Sequence, residues 1–195
     1  SEGACSKGAT GMYKTVRGSA ICESCPAHSN SLAKNGSVTA CTCNAGAVNV
    51  NFARACGGAS NAACSATQST QFDTVPASTA VDGSIDTYFH TLCLSNQWWR
   101  VDFGQERHIE LVRINNRVVG HFDTLGRLET STIRVGNTDI YDANAVCAKI
   151  NGSHDIYSVA CNSIGRYLFV VIGTTGSHAC LHFTELEAYG ACTQC

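Results

Sequence analysis

Two loops of opposite charge hold the side chains best suited to chemistry. Asp82-Gly83-Ser84-Ile85-Asp86 gathers carboxylates and hydroxyls around a glycine turn. Asn116-Arg117 and Gly126-Arg127-Leu128 supply guanidinium forks, which donate paired hydrogen bonds in a fixed plane. The segment Asn96-Gln97-Trp98-Trp99-Arg100-Val101-Asp102-Phe103-Gly104 runs between them. It alternates large apolar and polar residues, the signature of a half-buried strand. A rigid strand between an acidic and a basic loop points to a metal-stiffened binding site on a β-sandwich rather than to a reaction centre. The plain alternative reads Asp82-Gly83 as a hairpin turn and Arg117 and Arg127 as surface cations.

Enzyme chemistry finds little footing. Glu185 and Glu187 are two apart on a strand-like run and share a face, and paired carboxylates can hydrolyse glycosides. Nothing else in the chain makes an acid/base pair of them. The histidines form no HExxH motif, and no GxSxG elbow occurs. His178, Cys180 and His182 alternate as metal ligands might be spaced, but a disulfide at Cys180 would rule out thiolate ligation. Trp98 and Trp99 must point to opposite faces of a strand, which places Trp99 in the core. Asp102 and Arg100 read as a surface or sheet-edge pair.

The elements that position these residues follow from composition. The chain has 195 residues, 13 cysteines and 18 glycines, with 14% charged residues and a net charge of −2. That length holds one domain of about 130 residues and a small module. So many cysteines describe a disulfide scaffold in an oxidising compartment, so the chain is read as secreted or displayed at a cell surface. Sequons at Asn35-Gly36-Ser37 and Asn151-Gly152-Ser153 fit that route. The start at Ser1-Glu2-Gly3 reads as that of a processed or excised chain. The slight acidity excludes a phosphate-neutralising nucleic-acid binder, and no apolar run reaches the roughly 18 residues of a membrane span.

Residues 1–60 carry Cys5, Cys22, Cys25, Cys41, Cys43 and Cys56 among Gly, Ala, Ser and Asn. Such a segment buries too little to fold without covalent staples. From about residue 64, β-branched runs recur at Trp98–Phe103, His108–Ile114, Ser131–Val135, Tyr167–Ile172 and Leu181–Tyr189, separated by turn residues. Short strands with turn signals and no long helical period predict an all-β antiparallel sandwich or barrel. Cys64 and Cys192 bracket it and would clamp its ends. Cys147 and Cys161 would close a loop, and Cys93 and Cys180 are left to pair. Cys195 is odd; it belongs to a following module or links chains.

The runs Gly11-Met12-Tyr13, Cys22-Glu23-Ser24-Cys25-Pro26 and Cys41-Thr42-Cys43-Asn44-Ala45-Gly46 resemble ephrin-receptor-like and EGF-like cysteine-rich modules. That resemblance implies the pairs Cys5–Cys22, Cys25–Cys41 and Cys43–Cys56. In the second unit the ordered motifs are Ala66-Thr67-Gln68-Ser69-Thr70, Thr79-Ala80-Val81-Asp82-Gly83, Gln97-Trp98-Trp99-Arg100-Val101-Asp102, Ile114-Asn115-Asn116-Arg117, Gly165-Arg166-Tyr167 and Glu185-Leu186-Glu187-Ala188-Tyr189-Gly190. Together they resemble an F-type lectin (fucolectin, discoidin-like) domain over residues 64–192. The resemblance implies a jelly-roll β-sandwich with a structural Ca²⁺ beside its sugar loops. Asp82 and Glu185 would give carboxylates to the ion, and Thr79, Ser84 and Thr184 carbonyls, with Thr91 or Leu92 contributing near Cys93.

It also implies a fucose site in which Arg117 and Arg127 match the family arginines. Two departures stand out. The family's Asp-Cys-Cys turn between the arginines is replaced by Val118-Val119-Gly120-His121-Phe122-Asp123-Thr124-Leu125, and Leu94-Ser95-Asn96 follow Cys93 where the family histidine lies. His90 or His121 would substitute for that histidine, and Phe122 for the apolar platform. The resulting expectation is an extracellular calcium-containing module that binds fucosylated or related glycans, part of a larger protein. The competing expectation is a structural or adhesive module that has lost its sugar and contacts other extracellular proteins.

Overall fold

The computed structural model describes residues 51–53, 64–118, 126–172 and 179–190 with their side chains, and the backbone of Leu125 and of short strands between residues 12 and 50. The chain divides into two compact units, Ser1–Val50 with Ala191–Cys195, and Asn51–Gly190. In the first, β1 (Met12–Tyr13) pairs antiparallel with β2 (Glu23–Ser24), and β3 (Ser29–Ser31) with β4 (Cys41–Cys43). The three cysteine pairs expected there rest on side chains outside the described residues, as does Cys195.

The second unit starts at Asn51, the last residue of β5 (Val50–Asn51), rather than near residue 64. Packing explains the difference. Ala53 is fully buried, Phe52 N donates to Ala188 O (2.8 Å), and Asn51 Oδ1 accepts from Ala188 N (3.2 Å). One short apolar pair within a polar stretch is too little for a composition shift to reveal.

Its strands are β6 (Ser65–Gln68), β7 (Phe89–His90), β8 (Trp98–Asn115), β9 (Thr132–Gly136), β10 (Ala145–Lys149), β11 (Ile156–Val171), β12 (His182–Phe183) and β13 (Glu185–Gly190). The helical segments among the described residues are short 3₁₀ turns. The sheet runs β10-β9-β11-β8-β13-β5, with β6 also on β8, and β12 pairs separately with β7. Where the sequence shows two runs at Trp98–Phe103 and His108–Ile114, the chain forms one long strand. Its first half pairs with β6 and the end of β11; its second half pairs with β13 and the start of β11. Gly104, at φ 73°, lets β8 bend after the inward residues Trp99, Val101 and Phe103, and the inward phase changes further on, between Ile109 and Val112. In β11 the register slips between Ala160 and Ser163, around Asn162 at φ 49°. Both bends fold one hydrogen-bonded sheet into the two layers of a sandwich.

Trp99 is fully buried, and its indole N–H donates to Ala77 O at 2.9 Å. It packs with Phe89 and Phe183, whose rings meet edge-on at 4.5 Å. Each such aromatic contributes roughly 1.5–3 kcal/mol by burial. Cys93–Cys180 and Cys147–Cys161 are bonded as the cysteine positions indicate. Cys64 is also in a disulfide, and its expected partner Cys192 lies outside the described residues. Asp102 does not pair with Arg100: Arg166 reaches it with both arms of its fork, at 2.7 and 2.8 Å. The slip between Gly165 and Tyr167 sets Arg166 over the carboxylate.

Candidate functional site

The acidic loop begins where the 3₁₀ turn Ala77–Val81 ends. Thr79 is held in that turn by its own hydroxyl, which donates to Pro76 O at 2.8 Å. Gly83 adopts φ 85°, the left-handed conformation the turn requires. Asp82 Oδ1 accepts from Ser84 N (2.8 Å) and Oδ2 accepts from the Thr87 hydroxyl (2.8 Å). The same hydroxyl lies 3.4 Å from both Thr79 O and Ser84 O. One proton can satisfy one acceptor, so these oxygens outnumber their donor. Buried Glu185, at the start of β13, brings its carboxylate to the loop by accepting from Gly83 N at 3.2 Å.

An oxygen-only set with more acceptors than donors suits a hard cation of the Ca²⁺ type. Thr79, Asp82, Ser84 and Glu185 are thus brought together around one loop. Among the described residues no three His, Cys, Asp or Glu side chains form a metal cluster, because this set is rich in carbonyls. Thr184 gives its N–H and hydroxyl to Asn115 O, each at 3.0 Å, which leaves only its carbonyl for the loop. Thr91 is occupied elsewhere. Its N–H donates to Leu181 O (3.0 Å), its hydroxyl donates to Leu92 O (3.0 Å) and accepts from Leu181 N (2.9 Å), and its carbonyl accepts from His90 Nδ1.

The basic side gathers around β7 and β12. His90 and His182 face each other in register and stack, with centroids 5.1 Å apart and planes at 20°. Both imidazoles are held below their ordinary pKa, chiefly by burial; His182 falls to about 3. The positive fields of Arg117 and Arg127 add lesser contributions to both shifts. A neutral His90 that donates from Nδ1 to a carbonyl keeps its Nε2 lone pair as an acceptor. The Arg117 guanidinium lies 3.6 Å from the centroid of the Tyr88 ring, which fixes its plane. Half-exposed Phe72 stands beside His90, with centroids 5.0 Å apart, and its N–H donates to His90 O. His121 and Phe122 lie outside the described residues.

Sequence reasoning missed Thr87, Tyr88, Phe72 and the role of His182. Thr87 and Tyr88 join the two halves of the site: one sits among the acidic-loop oxygens, and the next lies under Arg117. No spacing rule reveals a stacked arginine. The alternation of His182 with Cys180 was the available signal for the pair, but it says nothing of a partner across the strand. The paired carboxylates are not poised for hydrolysis. Glu185 is buried against Gly83, and Glu187 lies 3.5 Å from Arg113.

The architecture is the discoidin-like sandwich of the F-type lectins. A family described as the NedA-like, galactose-binding domain matches residues 79–170. The chain is 34% identical to Fucolectin-6 of Anguilla japonica over 122 residues, 57% of this chain and 61% of that protein. It superposes on a fucolectin from the serum of Morone saxatilis (striped bass) with TM-score 0.62 and 26% identity, covering 75% of this chain and 50% of that one. A Streptococcus pneumoniae fucose binding module gives TM-score 0.58 and 25% identity over 73% of this chain and 96% of its own. The chain therefore spans less than two thirds of either fish lectin.

Proposed function

We propose that the sandwich is an extracellular carbohydrate-binding module for fucose or a closely related sugar, stiffened by Ca²⁺. The observation that supports this most directly is Arg117 held flat on Tyr88, with the stacked His90–His182 pair two residues further along and Phe72 beside His90. Guanidinium forks give paired donors to vicinal hydroxyls and a ring oxygen, and His90 Nε2 accepts from a third hydroxyl. Phe72 offers the sugar's apolar face and methyl group a surface, the role the altered turn leaves open.

Thr79 and Ser84 carbonyls with the Asp82 and Glu185 carboxylates would hold the ion, and the Thr184 carbonyl could complete the set. The ion supplies charge to tie together loops that have little core of their own. Tyr88 transmits that order, since it follows Thr87 directly and sets the plane of Arg117. A single-sugar site of this kind is shallow and weak, and repetition of modules would supply avidity.

The test is a glycan array with the wild-type chain, with Arg117→Ala, and with wild type in EDTA. Binding is expected on fucosylated glycans, absent in Arg117→Ala and reduced at least about tenfold in EDTA. A flat array from a folded wild-type chain overturns the sugar site and leaves the adhesive role. Undiminished binding in EDTA removes the ion from the reading.

A further inference from the structure

The outward face of β6-β8-β11-β9-β10 takes no part in the site above, yet it is built with unusual care. Strand register lays out its side chains. Phe169 faces Arg100 on one side and Arg134 on the other, Tyr167 faces Asp102, and Lys149 faces Thr132. Phe169 is fully buried although it lies outside the core cluster. The Arg100 guanidinium covers it, within 5.7 Å of its centroid, 5.8 Å of Trp98 and 5.3 Å of Tyr167. Arg166 lies 5.1 Å from Tyr167.

The polar partners of these cations are mostly neutral. Arg100 donates to the Thr67 hydroxyl (3.1 Å) and Asp139 O (3.2 Å), and Arg134 donates to Asn144 O (2.8 Å). Lys149 is exposed. Of the acids beside the face, Asp102 is paired with Arg166, Glu106 accepts from the neutral Asn137 amide, and exposed Asp139 and Asp142 lie in the loop whose carbonyls receive Arg100 and Arg134. Arg100, Arg134 and Lys149 form no salt bridge among the described residues, while the chain as a whole carries −2. Because Arg100 and Arg134 flank one residue, they sit two strand spacings apart, about 9–10 Å; Val146 lies opposite Arg134 on the next strand, and Lys149 lies on that strand opposite Thr132.

We propose that this face is a second ligand surface, for a sulfated polysaccharide lying across the strands. A pinned guanidinium loses little freedom on binding and matches the oxygens of a sulfate with its fork. Trp98 and Tyr167, both half-buried, give sugar rings a flat place to rest. A linear polyanion with recurring charges fits cations carried on three strands of the sheet. A membrane surface fits poorly, because the exposed aliphatic here is Val146 rather than a set of apolar spikes.

The experiment loads the full chain on immobilised heparin at about 0.15 M salt. Retention is expected. Lys149→Glu should elute earlier, and Arg134→Gln with Lys149→Glu should bind a heparin hexasaccharide about tenfold more weakly. Desulfated heparin should not compete, and Arg117→Ala should elute with wild type, which separates this surface from the fucose site. The proposal is overturned if wild type is not retained. It is also overturned if both variants, with unchanged near-UV spectra, elute with wild type, or if Arg117→Ala abolishes retention. Equal affinity for duplex DNA or phosphatidylserine vesicles would likewise sink it, as a general polyanion effect.

Discussion

Tyr88 and His182 show how the candidate site rests on side chains that position their neighbours. Tyr88 gives Arg117 a flat rest 3.6 Å below its guanidinium. His182 has no exposed surface and no hydrogen bond to either ring nitrogen, yet it forms the back of His90. Burial keeps it neutral in the fold down to about pH 3, whereas the unfolded chain protonates it near its ordinary 6.5. Since the folded value is depressed and the charged form is the disfavoured one, its contribution is complete above 6.5 and is lost as the pH falls toward 3. The slope reaches about 1.4 kcal/mol per pH unit, with His90 adding to it in the same direction. Urea unfolding between pH 7 and 5, above the carboxylate range, should show falling midpoints, and His182→Gln should flatten the fall. Equal slopes in the two proteins would place the loss elsewhere.

At the level of strands, the sequence announces alternation and hides continuity. Trp98–Phe103 reads as a strand because every second residue is apolar, and it is one. That it continues through Gly104 to Asn115 is invisible, because Gly104-Gln105-Glu106 looks like a turn and the inward phase flips beyond it. Leu181–Tyr189 reads as one strand but divides at Thr184, whose N–H and hydroxyl both turn to Asn115 O. The residues of the acidic loop alone read as an Asp-Gly turn, and only the family likeness suggests an ion there, whereas Thr91 was assigned by nearness to Cys93 and its hydroxyl accepts from Leu181 N. Arg166 was missed as the partner of Asp102 because a register slip, not spacing, joins them. Close packing between strands is similarly unreadable from the chain. A Cβ on Gly165 would lie 2.6 Å from Gly136 N and O, and backbone there cannot rotate aside. Gly165→Ala should therefore destabilise by about 2–4 kcal/mol in thermal or urea unfolding. A variant as stable as wild type would mean that β9 and β11 separate easily.

Over the whole molecule, stability is pooled. The disulfide Cys93–Cys180 closes a loop of 87 residues, which the chain-entropy account values at about 4–5 kcal/mol. It ties the segment after β7 to the one before β12, and so holds the histidine pair together from outside. Replacing both cysteines with alanine should lower the melting temperature markedly, while unfolding remains a single transition for the Asn51–Gly190 unit. Two separated transitions would show that its layers melt independently. They should not, because β8 and β11 each run through both layers. The same continuity has a mechanical meaning. A load applied along β8 or β11 is carried by unbroken covalent chain from one layer to the other, so the unit resists shearing of one leaf over the other.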